Sequence, residues 1–562
     1  MSSTAADSFI YDETLEDQVK ISPFTKKDML YALDSNNQSY NGQINFSTET
    51  LAASGDWLNY AESYIVVPFV ITLKANQNKN ATLRSAFFAG LKNGTYQLID
   101  SISVDINGVN VVSQQAFLSH YVNYKLMTSF SEDDLKKWGS TIIFHPDNAA
   151  HKFGAAASAN GDGYTNNVVL TTTAPAFAGA GTTLDAYNVG LSERLKYTSY
   201  SIPGGANNIL PNGIGAVPTG LVASNLAQTF KSYCTDNNSA DANLVLQWTI
   251  SATIPLKFVS DFFDKMPLTK GTIMNITINY NAGNAIVSRA GGATLAITSV
   301  VMTAGNSLPF MLSSGAANNP WAAPLAATDT AYTISSGVVN CTNRFNTPPL
   351  TSCRLYVPSY TMNPQYELQL LNQRPTREVR YTDIYSYRQT AISANSNFNF
   401  ILNSGIVNPK YVVVIPYATT SAGVFAAVTN PTYQSPFDSA PGTTLPRAAI
   451  TQFNVNISGK NCFSTSEQYD FSAFIDELSS ANAINGGLST GLTSGLIGHF
   501  EFDNVFRYYV ADVSRRLPAD TIGEQQIIVS GVNSSGVSID LICFVVYGKK
   551  ITFNMETGRP TA

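Results

Sequence analysis

A chain of 562 residues is longer than one ordinary core can fill, so two domains are expected. Hydrophobic residues make up 44 %, a normal globular share, whereas charged residues reach only 13 % against roughly 25 % in a typical soluble protein. The formal net charge of −6, with no clustered Lys/Arg run, argues against a protein that gains affinity by neutralising phosphates, and so charge-poor a surface suits a chain that ends up against other subunits.

The amino terminus, MSSTAADSFIYDETLEDQ, carries Asp7, Asp12, Glu13, Glu16 and Asp17 and no base before Lys20. It reads as an extended arm over residues 1–40, neither a secretory signal nor a basic genome-binding tail. A first β-domain follows over 41–305, with strands predicted near 43–49, 63–74 and 97–106, where short β-branched and aromatic runs alternate with Gly, Pro, Asn and Ser clusters. A helical pattern spans Gln115 to Met127, and a second helix opens at Ser131 as N-cap with Asp134 at its third position. Residues 145–240, rich in Ala, Gly, Thr and Asn, form a long loop insertion. Strands near 245–256 and 272–280 complete the domain, and 306–345 reads as a connector.

The second β-domain is placed at 346–562. A helix opens at Asn363, where Pro364 occupies the first helical turn without losing a needed donor. Strands are predicted near 378–390, 398–402, 410–417, 450–457, 505–513, 525–531 and 537–547, with a short helix from Tyr469 to Leu478. The longest apolar runs, Tyr64 to Leu73 and Leu541 to Tyr547, fall far short of the ~20 residues that span a bilayer, so no membrane anchor is expected. The five cysteines (Cys234, Cys341, Cys353, Cys462 and Cys543) form no close CxxC pair. They predict neither a zinc site nor a disulfide framework, and a reducing cytosol or nucleus for folding.

The chain is written twice. Ile102-Ser103-Val104-Asp105-Ile106-Asn107-Gly108-Val109-Asn110 recurs as Phe453-Asn454-Val455-Asn456-Ile457-Ser458-Gly459-Lys460-Asn461, each copy alternating as a half-buried strand does and ending in residues suited to a turn with positive φ. Upstream, Ser63-Tyr64-Ile65-Val66-Val67-Pro68 corresponds to Lys410-Tyr411-Val412-Val413-Val414-Ile415-Pro416. Downstream of each motif comes a short helix. Same order and nearly equal spacing predict two related β-domains.

The chemistry-bearing candidates each have a plainer reading. Gly487-Leu488-Ser489-Thr490-Gly491 fits a nucleophile elbow but lies in a Gly/Ser/Thr loop with no preceding strand. His145, Asp147 and His151 lie close together, yet no HExxH helix supports a metal site; the four histidines, which also include His120 and His499, read as surface residues. Asp261 and Asp264 follow a strand beside Phe262-Phe263, with no His, Lys or metal partner visible. Arg515 and Arg516 read as a solvated or salt-bridged strand end rather than a nucleic-acid contact. No phosphate-binding loop is present. The sequence assigns no catalytic, cofactor-binding or metal-binding residue, and no enzyme activity.

At the carboxyl-terminal end, Phe506-Arg507-Tyr508-Tyr509-Val510-Ala511-Asp512-Val513-Ser514-Arg515-Arg516-Leu517 resembles a segment of double-jelly-roll major capsid proteins. The resemblance continues through Ile527 to Asn533 and Ile539 to Tyr547, and Ser251 to Leu256 with Phe262-Phe263 looks like the counterpart in the first half. The layout is most similar to capsid proteins of polinton-like viruses, virophages and adintoviruses. The resemblance implies an all-β chain of two tandem eight-stranded jelly rolls with few short helices and long loops. It also implies a homotrimer forming a pseudo-hexameric capsomer in an icosahedral shell around double-stranded DNA, in a virion assembled in host cytoplasm or nucleus. Neighbouring capsomers, penton proteins and minor capsid or cement proteins are the implied partners, with a weak contact between the inner face and the genome. The 145–240 insertion would form an outer tower and the arm would lie inside.

Three other classes remain open on sequence. A secreted or surface tandem β-sandwich adhesin or lectin would bring a signal peptide, acidic calcium clusters or paired cysteines. A minor capsid or spike protein would hold a single jelly roll. An enzyme on a β-scaffold would need a gathered set of acid, base or nucleophile.

Overall fold

The computed structural model describes residues 23–75, 87–147, 168–169, 185–186, 189–195, 197, 233–235, 245–290, 294–314, 331–339, 350–419, 430–436, 438–445, 449–463, 469–484, 492–514 and 523–561. Sixteen of the described strands make up the two equivalent sandwiches, eight in each half. In the first they are β1 (Phe24–Leu33), β2 (Gln43–Ser47), β3 (Tyr64–Ala75), β4 (Ile99–Ile106), β5 (Val109–Val112), β6 (Val245–Pro255), β7 (Met274–Tyr280) and β8 (Arg354–Met362). In the second they are β9 (Thr376–Ile392), β10 (Asn397–Ile406), β11 (Pro409–Ala418), β12 (Ile450–Ile457), β13 (Lys460–Asn461), β14 (Tyr509–Asp512), β15 (Gln525–Asn533) and β16 (Ile539–Asn554).

In the first half β1 pairs with β8, β8 with β3 and β3 with β6, while β2, β7, β4 and β5 form the facing sheet. The second half repeats this order strand for strand: β9-β16-β11-β14 against β10-β15-β12-β13. Among these sixteen, successive strands cross between sheets except at one hairpin in each half, which is the winding of a jelly roll. The chain is all-β in its layers, with two such sandwiches in tandem.

The duplicated motif is that hairpin. β4 turns into β5 through Asn107 (φ 49°) and Gly108 (φ 87°), and β12 into β13 through Ser458 (φ 47°) and Gly459 (φ 85°). Positive φ at both central residues is the type I′ geometry that matches strand twist, which is why a glycine closes each copy. The likeness extends to side chains. Asn110 donates to Asp105 across the first hairpin at 2.9 Å, and Asn456 donates to Asn461 across the second at 2.7 Å.

A helix follows each hairpin: α1 (Leu118–Ser129) in the first half, continued by α2 (Glu132–Ile142). Ser131 and Asp134 form the expected capping box on α2. Further along come α3 (Val189–Leu195), α4 (Asp261–Lys265), α5 (Pro364–Gln373), α6 (Phe471–Ile484) and α7 (His499–Asn504). One continuous apolar core runs through both sandwiches, including Phe69, Trp248 and Ile276 in the first and Val414, Tyr509 and Val545 in the second.

The domain limits expected from sequence are corrected by strand pairing. β1, inside the presumed arm, is an edge strand of the first sheet, paired with β8 from Phe24↔Met362 to Leu33↔Arg354. β8, assigned to the second domain, pairs with β3 of the first. The presumed connector contains two strands that also belong to the first half: Phe310–Ser314 pairs with Phe87–Leu91, and Ala331–Val338 pairs with β3. The sheets therefore divide between Met362 and Thr376, with α5 between them. Most of the 145–240 insertion, expected as an outer tower, lies outside the described residues, but its α3 packs on the body, where Leu191 and Met311 are buried together.

Candidate functional site: the contact between the two sandwiches

The most built-up polar site lies where the two halves meet. The segment from Ser113 through α1 lies on the outer face of β9, β16 and β11. Ten of the twelve residues of α1 are buried, because its own sandwich covers one side and the second sandwich the other. β16 records the same fact from the opposite side. Ile539 to Tyr547 are buried without interruption, as expected for a strand covered on both faces.

The contacts follow the helix. Gln115 accepts from the Ser386 backbone N–H at 3.0 Å. His120 is completely buried, 3.0 Å from the Tyr417 hydroxyl and 2.7 Å from that of Ser307. Burial, reinforced by the charges of Lys92 and Arg388, drives its pKa well below the usual histidine range. The ring is therefore neutral, donating from one nitrogen and accepting at the other. Tyr121 meets the Tyr411 hydroxyl at 3.1 Å and the ring of Phe544 at 5.5 Å. Asn123 uses its whole amide: it donates to Pro441 O, Gly442 O and the Tyr508 hydroxyl, and accepts from Tyr96 and Asn93. Lys125 pairs with Asp261 of α4, which also accepts from Thr382 of β9. Burial would raise the Asp261 carboxyl, but the Lys125 ammonium and the two hydrogen bonds outweigh it and hold it low.

Lys92 closes one end. Its ammonium donates to the carbonyls of Thr432 (3.3 Å), Tyr433 (3.1 Å) and Ala440 (2.7 Å), all from the second half. Burial pulls its pKa down to about 7, opposed by the charge of Asp438. Asp383 closes the other end, accepting from the Ser113 backbone and hydroxyl, Tyr547 and Lys549. Between the ends a cavity of about 20 Å³, lined by Leu118, Tyr121, Lys125, Asp261, Thr382 and Ile384, has room for about one water.

The residues weighed from sequence do not converge. Asp261 serves this contact, and Asp264 pairs with Lys265 at the surface. Asp147, expected in a flexible loop, is buried and ion-paired with Arg194 of α3 at 2.8 Å, while His145 lies 3.3 Å from the Tyr197 hydroxyl. His499 faces Asp503 within α7 at 3.7 Å. His120 overturns the reading of all histidines as surface residues; its neighbours Tyr417 and Ser307 are remote in sequence, so no local signal marked it. His151, Gly487 to Gly491, Arg515 and Arg516 lie outside the described residues. Among the described residues no His, Cys, Asp or Glu group could hold a metal ion, and no helix is long and apolar enough to cross a membrane.

No protein-family model matches the chain, and no curated protein matches its sequence. Solved structures similar to it include viral major capsid proteins. That of mavirus is 11 % identical with a TM-score of 0.47, covering 100 % of this chain and 94 % of that one. That of Faustovirus is 11 % identical with a TM-score of 0.39, covering 98 % and 94 %. The capsid of PBCV-1 gives 7 % identity and a TM-score of 0.38, covering 98 % and 99 %.

Proposed function

We propose that this chain is the major shell subunit of a double-stranded DNA virus. Three copies close a ring of six sandwiches, and the rings tile an icosahedral capsid. The observation that carries the reading is the contact just described. It is head-to-tail: the lateral helix of one jelly roll sits on the sheet face of the next, and the two jelly rolls share one strand order. A heterologous contact between like units leaves one unused helix and one unused face, and it is satisfied throughout only when the ring closes. With two units per chain, three chains make six. The virus class follows from the resemblance at Phe506 to Leu517, and the charge-poor composition suits broad subunit contacts.

The reading assigns no catalytic step. Of the acids weighed from sequence, Asp261 helps hold the two halves together, and Asp147 and Asp264 sit in ion pairs with Arg194 and Lys265. The partners are further copies, neighbouring rings, and the penton and minor or cement proteins a closed shell requires. The inner face makes only weak contact with the genome, for want of basic clusters. The place of action is the virion, after assembly in host cytoplasm or nucleus. Size-exclusion chromatography with light scattering tests it: the expected mass is that of three chains, and a monomer persisting at high concentration would overturn it.

A further inference from the structure

We infer that the outer face of the first sandwich, formed by β1, β8 and β3, is the docking site for helix α6 of a second copy. This deepens the ring reading and rests on it. In the second sandwich the equivalent face is covered by α1, and strand register maps one face onto the other. Tyr411 pairs with Val546 and Val413 with Phe544 where Tyr64 pairs with Tyr356 and Val66 with Arg354. On the first strand of each sheet, Ile384 and Ser386 correspond to Tyr31 and Leu33.

The covered face is buried and the uncovered one is as apolar. Met29, Tyr31 and Leu33 are 49 %, 54 % and 55 % exposed along one side of β1. Tyr31 leans on Tyr356 at 5.9 Å, and Tyr356 stacks on Tyr64 at 5.0 Å. Beside them an open hollow of about 400 Å³ is lined by Tyr31, Leu33, Ser35, Ser47 and Thr50. An apolar, aromatic edge strand left open would invite unwanted pairing. Arg354 lies across the Tyr31 ring at 5.6 Å, and among the described residues it makes no ion pair and its Nε has no acceptor.

The helix offered to this face is as one-sided as α1 is enclosed. α6 buries the stripe Phe474, Leu478 and Ala481 against its own sandwich, while Ser472 and Asp476 are exposed and Ile475 is half-buried. Asp476 makes no ion pair among the described residues. The occupant is therefore a second copy: α6 covers Tyr31, Leu33, Tyr356 and Tyr64, with Asp476 meeting Arg354.

The test compares the wild-type chain with Leu33→Asp, Arg354→Glu, Asp476→Arg and the Arg354→Glu/Asp476→Arg pair, by light scattering over a concentration series. Thermal melts report folding. Leu33→Asp should raise the concentration for half-assembly about tenfold or more. Each single charge reversal should weaken assembly and the double reversal should restore it, which no folding defect would do. If the wild type is trimeric and Leu33→Asp and both single reversals assemble equally well, this interface is wrong and the ring reading stands. If the wild type stays monomeric, the ring reading itself has failed.

Discussion

Tyr121 shows what a single side chain does in this molecule. It sits on α1 of the first jelly roll, and both its partners, Tyr411 and Phe544, belong to the second. Removing only its hydroxyl deletes a buried hydrogen bond to Tyr411, so Tyr121→Phe should cost ~0.5–1.5 kcal/mol in chemical denaturation. Tyr121→Ala opens a cavity as well and should cost ~3–5 kcal/mol. Lys92 gives a pH signature. Its folded pKa is depressed to about 7, so above that pH the unfolded chain holds the proton more tightly than the native one. Its contribution should therefore make stability rise as pH climbs from about 7 toward the ordinary lysine range. The slope of denaturation midpoint against pH should flatten in Lys92→Met; an unchanged slope would place the charge elsewhere. Neither Lys92 nor His120 was legible in the sequence. Lys92 stands in an unremarkable Leu-Lys-Asn-Gly turn, and His120 looks like any polar helix residue, because their partners are distant in the chain.

At the scale of elements, what is local was readable and what is paired from afar was not. The two hairpins announced themselves because a type I′ turn needs residues tolerant of positive φ, and Asn107-Gly108 and Ser458-Gly459 supply them. The α2 cap and the proline-led start of α5 were read for the same reason. β1 escaped because Lys26, Lys27 and Asp28 interrupt its apolar pattern, as solvent-facing charges do on an edge strand. β8 escaped because a long detour separates it from β7, and nothing nearby tells which sheet it joins. α7 was not anticipated, because Gly498 precedes it and no side-chain cap marks its start. The insertion was read as surface loop throughout, yet Arg194 of α3 is buried, donating to Leu91 O and His145 O and paired with Asp147. Arg194→Leu should thus cost ~3–5 kcal/mol by leaving the Asp147 carboxylate in the interior without its guanidinium. Trimming the insertion should be tolerated only where α3 is spared, and equal thermal stability of deletions with and without 189–195 would contradict this.

The whole molecule is built by repetition. Two sandwiches of one winding are joined by a contact that uses the lateral helix of the first and the sheet face of the second. What is left over is a helix at one end and an aromatic face at the other. The side chains across the existing contact are chosen for burial: a neutral histidine, a fully bonded asparagine and a caged lysine. The side chains on the leftover face are of the same apolar kind but open to water. Class averages of the purified protein by negative-stain electron microscopy examine this most directly. The account predicts closed rings of six similar densities with three-fold symmetry, each adjacent pair being one chain. Isolated two-lobed particles at concentrations well above those of assembly would contradict it.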